Sequence, residues 1–145
     1  ARIFSIYEGT TQLQVVAAIR YITNGTYASI IQEMLQNEVS AEMQPLKDRV
    51  VKMVAKLEEA IEKVKEDNNQ EVLDFLARRL YNMTGDVIMS LLIIEDASKA
   101  PELFAKSANV YVRYAEEEVV GHHHFVMNFT AEDLPSYRQR EPKAE

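Results

Sequence analysis

The residues best suited to chemistry stand together near the start of the sequence, in Ile6-Tyr7-Glu8-Gly9-Thr10-Thr11-Gln12-Leu13-Gln14. Thr11-Gln12-Leu13-Gln14 has the Ser/Thr-x-x-Glu/Gln spacing of a capping box, in which the Thr11 hydroxyl accepts from the Gln14 amide and the Gln14 side chain reaches back. Leu13, Val16, Ala17 and Ile19 then recur at helical spacing. Glu8 and Gly9 therefore fall just before a helix N-terminus, whose unpaired N–H groups and positive dipole end favour an anion or a phosphate oxygen. Gly9 has no Cβ, which leaves room for a ligand against the backbone. Glu8 follows Ile6 and Tyr7, and a carboxylate closed from water among such neighbours is a base with a raised pKa. The same residues also read as a turn, a cap and a favourable dipole partner, with no chemistry attached.

Other constellations carry less. His122-His123-His124 are consecutive, and on a helix successive side chains point about 100° apart, so the three cannot converge on one ion. Glu118 and His122 have i,i+4 spacing, a single pair that is common by chance. The Glu-x-x-His motifs of di-iron bundles are absent, because Val119, Val120 and Gly121 stand three residues before the histidines. No metal site is expected. There is no Gly-x-Ser-x-Gly elbow, no Gly-x-Gly-x-x-Gly and no phosphate loop. Met34, Met43, Met53, Met83, Met89 and Met127 are expected to fill a core.

The segment Arg2-Ile3-Phe4-Ser5-Ile6-Tyr7-Glu8-Gly9-Thr10-Thr11-Gln12-Leu13-Gln14 resembles the stretch near the C-terminal end of acyl-CoA dehydrogenases, where Arg-Ile-x-x-Ile-Tyr-Glu-Gly-Thr-x-x-Ile/Leu-Gln recurs. The order is kept without gaps, and Leu13 in place of the commoner isoleucine is a mild departure. The resemblance implies that Glu8 abstracts the α-proton of an acyl-CoA thioester while the β-hydride goes to flavin. It implies that Gly9 contacts the substrate, that Thr10, Thr11 and Gln12 contact FAD, and that Arg20 lies near the CoA.

More than a hundred residues follow the motif, which resembles a longer subgroup of that family with an extra C-terminal helical domain. The expected division is residues 1–38 as the end of the catalytic domain and residues 39–145 as the extra domain, packed with the first helix as one bundle. On this view the sequence is the C-terminal piece of a longer dehydrogenase. Most FAD and substrate contacts then lie upstream, and the piece alone neither holds FAD nor turns over. The intact enzyme takes an acyl-CoA substrate, passes electrons to an electron-transfer acceptor and forms a homo-oligomer. The alternative is a helical oligomerisation or partner-docking module without catalysis.

The elements that must position these residues are helical. Of 145 residues 47% are hydrophobic, enough for a core, and only four glycines and four prolines punctuate the chain. The net charge of −7 argues against a nucleic-acid partner, which requires a basic face. The absence of cysteine excludes disulfides and thiolate metal sites, and fits a cytoplasmic protein. The apolar run at Leu91-Leu92-Ile93-Ile94 is far too short to span a membrane.

Spacing predicts four helices. The first runs over about 11–37, interrupted at Asn24-Gly25. The second runs over about 45–66 on the stripe Leu46, Val50, Met53, Leu57, Ile61 and Val64. The third runs over about 69–97 on Leu73, Leu76, Leu80, Met83, Val87, Leu91 and Ile94, with the centre of the core at 87–94. Gly85 inside it implies a close helix contact. The fourth runs over about 101–120 with Leu103, Phe104, Ala108, Tyr111, Tyr114, Ala115 and Val119 inward, and Gly121 as its C-cap. The segment from Phe125 to Phe129 packs as a short extension, and a polar arm starts at Thr130. Short loops make the helices antiparallel neighbours, so the expected fold is an all-α, up-and-down four-helix bundle with a polar C-terminal arm.

Overall fold

The computed structural model describes residues 14–138, and among them every regular element is helical. Helix α1 occupies residues 14–23, α2 Thr26–Leu35, α3 Gln44–Asp67, α4 Gln70–Lys99 and α5 Pro101–Asn128. A 3-10 turn at Ala131–Asp133 and a single turn, α6, at Leu134–Tyr137 follow. Helices α3, α4 and α5 pack mutually, the α4–α5 pair most extensively, and α2 lies on α4. Ala18 and Ile22 of α1 and Ile31 of α2 join the same hydrophobic core, so the α1–α2 pair fills the fourth side of an antiparallel bundle. None of the described helices is long and apolar enough to cross a membrane.

Local chemistry sets each boundary. Gly25 has φ 88°, and the Asn24 Oδ1 accepts from the Thr26 amide at 3.0 Å and its hydroxyl at 2.7 Å. The expected first helix is therefore cut in two here rather than kinked. Asn68 takes a left-handed conformation at φ 45°, and Asn69 caps α4 by accepting from the Val72 amide at 3.2 Å. Pro101 opens α5 at its first turn, where no N–H is needed. The α2–α3 loop is tied down by Lys47, whose Nζ donates to the Asn37 carbonyl at 3.0 Å, and by the Ser40 amide, which donates to Ser98 Oγ at 3.1 Å.

Several expectations need correction. Helix α5 does not stop at Gly121 but continues to Asn128. Its end is held by Lys63, whose Nζ donates to the Phe129 carbonyl at 2.7 Å and pairs with Asp67 at 2.8 Å. The buried face of α5 is Ala108, Val112, Ala115, Val119 and Val126, whereas Leu103, Phe104 and Tyr114 are exposed. Gly85 makes no close helix contact, because a Cβ built there meets nothing within 4 Å. Met43, Met53 and Met83 are core residues, but Met89 and Met127 are exposed. Residues 130–138 start with a Thr130–Asp133 capping box, bury Leu134 and place Tyr137 in an aromatic cluster, so this part of the expected arm is docked.

The described glycines separate into two kinds. Gly25→Ala forces a side chain into the left-handed region and should destabilise by about 1 kcal/mol. Gly85→Ala and Gly121→Ala sit in exposed helix interiors with free space and should each stabilise by up to about 1 kcal/mol. Urea midpoints at unchanged slope measure both signs.

Candidate functional site

Glu8, Gly9, Thr10, Thr11 and Gln12 lie outside the described residues, and of the sequence-predicted site only Arg20 is placed. Arg20 is exposed on α1 and forms no ion pair with a described residue. Helix α1 has two apolar faces. Val15, at 1% exposure, Ala18 and Ile22 point into the bundle, which corrects the expected stripe of Val16 and Ala17. Val16, at 59%, Ala17, Arg20 and Tyr21 form the opposite, exposed face. With Val15 to Ile19 apolar throughout, spacing alone fits either face, and packing on the rest of the bundle selects the inner one. The outer face is thus an apolar strip with a single guanidinium beside it.

The histidine run is spread as its spacing requires. Arg79 Nη1 donates to His122 Nδ1 at 3.2 Å, which leaves the proton of a neutral ring on Nε2, 3.7 Å from Glu118 Oε2. Burial lowers the His122 pKa, Arg79 lowers it further and Glu118 opposes them. His123 Nε2 meets Glu59 at 2.7 Å, and His124 faces Asn128. Among the described residues no group of three potential ligands could hold a metal ion. Arg79 also lies 3.6 Å from the centroid of the Phe125 ring, a cation–π contact at the edge of the Phe75, Phe125, Phe129 and Tyr137 cluster.

One concave site was not foreseen from the sequence. A groove of about 400 Å³ runs between α4 and α5, lined by Tyr81, Asn82, Gly85, Asp86, Met89, Tyr111, Tyr114 and Glu118. Asp86 is half-buried there and makes no hydrogen bond or ion pair with a described residue. Burial first, and the nearby Glu118 carboxylate second, raise its pKa from 3.8 to about 6. Burial also raises the Tyr111 pKa, with Asp86 and Tyr114 adding to it. The only sequence signal was an acid at Asp86 directly before the most apolar stretch of the third predicted helix.

Comparison with known proteins places these features in context. The family model described as acyl-CoA dehydrogenase C terminal matches residues 23–134, from the last residue of α1 to the first of α6. Among solved structures, an acyl-CoA dehydrogenase family protein from Porphyromonas gingivalis is similar, with 40% identity and a TM-score of 0.73. The match covers 79% of this chain and 98% of that one. No curated protein matches the chain.

The Asp86 environment predicts a pH signature. A folded-state pKa near 6 against an ordinary 3.8 means that between these values the folded chain retains a proton the unfolded chain has released. Stability therefore falls as pH rises through that window, and the penalty is complete above about pH 6. Glu118 reinforces the penalty across the groove, while neutral His122 does not offset it and Arg79 lies beyond that ring. Asp86→Asn should stabilise by about 1 kcal/mol at neutral pH, after allowance for solvent screening of a half-exposed group. It should change nothing below about pH 4. Urea melts at the two pH values test the sign.

Proposed function

The chain belongs to the acyl-CoA dehydrogenase C-terminal family, and from that premise we propose that it closes the C-terminal end of a flavin-dependent acyl-CoA dehydrogenase. In this reading residues 1–38 finish the catalytic domain and residues 39–145 are the additional helical domain, joined through α1. The observation that carries it is the two-sided character of α1. Its inner residues Ala18 and Ile22 belong to the bundle core, while Val16, Ala17, Arg20 and Tyr21 offer a second packing face on the helix that follows the Glu8 motif. A helix apolar on both sides is one that packs on both sides.

The roles follow residue by residue from the motif. Glu8 takes the α-proton of the acyl thioester, and the nearby helix start and apolar neighbours Ile6 and Tyr7 tune its basicity. Gly9, lacking a side chain, lets the acyl group approach the backbone. Thr10, Thr11 and Gln12 supply hydroxyl and amide groups of the kind that hydrogen-bond the polar edge of a flavin, so the donor set fits FAD. Bound FAD supplies the hydride acceptor for the β-carbon. Arg20 offers a cation to the phosphates of CoA. An electron-transfer acceptor, a homo-oligomeric assembly and a cytoplasmic setting complete the proposal.

Replacement of the base isolates the chemistry from the cofactor. In the intact protein Glu8→Gln should keep the flavin bound, with its visible bands in place, and slow acyl-CoA reduction of the flavin by about 10³-fold or more. Stopped-flow absorbance without oxygen reads both quantities. Reduction at the wild-type rate in that variant would remove Glu8 as the base.

A further inference from the structure

The α4–α5 groove combines features that ordinary solvated surface does not explain. Asp86 sits half-buried without a hydrogen-bond donor, and Glu118 faces only His122 at 3.7 Å. Neither Tyr81, Tyr111 nor Tyr114 spends its hydroxyl on a described partner. Gly85 forms part of the lining inside a 30-residue helix, at a position where a Cβ meets nothing. It is therefore not required by packing, and it leaves the groove open to the helix backbone. The groove also runs into an exposed apolar surface. Met89 and Leu92 lie on the outward stripe of α4, and Leu103, Val110 and Tyr114, spaced i, i+7 and i+11, on that of α5. Leu103 and Val110 are 69% and 72% exposed.

We propose that this groove binds an organic cation with an apolar body, an alkylammonium or alkylguanidinium group, between the three tyrosine rings and the carboxylates of Asp86 and Glu118. An anion is excluded by two carboxylates without a counter-charge. A hard metal ion is disfavoured because, beside the two carboxylates, the lining offers three tyrosines, a thioether and only one amide, Asn82, and no group of three His, Cys, Asp or Glu forms among the described residues. An alkylated cation suits both the groove and its rim, since aromatic faces attract the charge through their quadrupole and the exposed apolar residues beside the groove, Met89, Leu92 and Val110, can cover its body. The groove is open to solvent and, at about 400 Å³, has room for one small cation. The site is independent of the dehydrogenase chemistry, so it stands or falls apart from the role of Glu8.

The test is an amide NMR titration of the whole chain with n-butylguanidinium, with its neutral isostere n-butylurea as control. A parallel arm uses a short capped peptide carrying one arginine between leucines. Saturable shifts of Gly85, Asp86, Met89, Tyr111 and Tyr114 with a cationic probe, and not with the urea, are expected. Saturation by the free cation alone identifies a small-molecule site, and tighter saturation by the peptide identifies a partner side chain. Asp86→Asn and the exposed-site variant Tyr114→Ala should each weaken binding about 5-fold or more while the chain stays folded by circular dichroism. Linear, unsaturated shifts, equal response to the neutral isostere, or undiminished binding in both variants would overturn the proposal.

Discussion

The structure depends on how closely α4 and α5 can approach. The fully buried residues of helix α5 are all alanine and valine, at Ala108, Val112, Ala115, Val119 and Val126, with Tyr111 and Phe125 partly buried beside them. Helix α4 meets the core with larger residues, among them Leu76, Leu80, Met83, Leu91 and Ile94. Large side chains against small ones let the two long helices pack as the most extensive pair in the fold. The seam is fixed at both ends. Ala100 and Pro101 turn the chain between the helices, while Arg79 over Phe125 and the aromatic cluster of Phe75, Phe125, Phe129 and Tyr137 hold the other end.

Two consequences reach the functional surfaces. With the small residues spent inward, the large apolar residues of α5 are left outward, and the groove beside Asp86 opens between those outer stripes. Helices α1 and α2 complete the bundle, with Ala18, Ile22 and Ile31 as members of the shared core. Helix α1 is thereby anchored through one face and leaves the other exposed. An anchored helix with an unspent face is what a chain needs if it must tie a helical bundle to a catalytic unit without a flexible joint.

Much of the architecture was legible because it rests on local chemistry. The stripes of α3 and α4, the Asn24-Gly25 break, the Asn68-Asn69 turn and the Pro101 start each follow from residue types that admit few conformations. The inward face of α5 was legible in part, since Ala108, Ala115 and Val119 are buried and Tyr111 packs on the core as expected. Leu103, Phe104 and Tyr114 were also expected inward and are exposed, because the positions closest to α4 are filled by alanine and valine. The face of α1 was ambiguous for a related reason, since five consecutive apolar residues fit any stripe. Gly121 looked like a helix stop because glycine favours C-caps, yet the aromatic residues beyond it pay for continuing the helix. As for the site, the Glu8 motif stands out in the sequence because its residue order is specific, but it lies outside the described residues. The Asp86 groove was invisible, because only the packing of α4 against α5 brings Tyr81 and Tyr111 to one groove.

The central claim is that this bundle belongs to an enzyme that removes an α-proton and a β-hydride from an acyl-CoA. Its most direct test is a titration of the intact protein with a panel of acyl-CoAs in the absence of oxygen, followed through the flavin absorbance. The expected result is a yellow protein whose flavin band bleaches stoichiometrically with at least one acyl-CoA of the panel. An intact protein that is colourless and cannot be reconstituted with FAD, or a flavin band that no acyl-CoA bleaches, would contradict it.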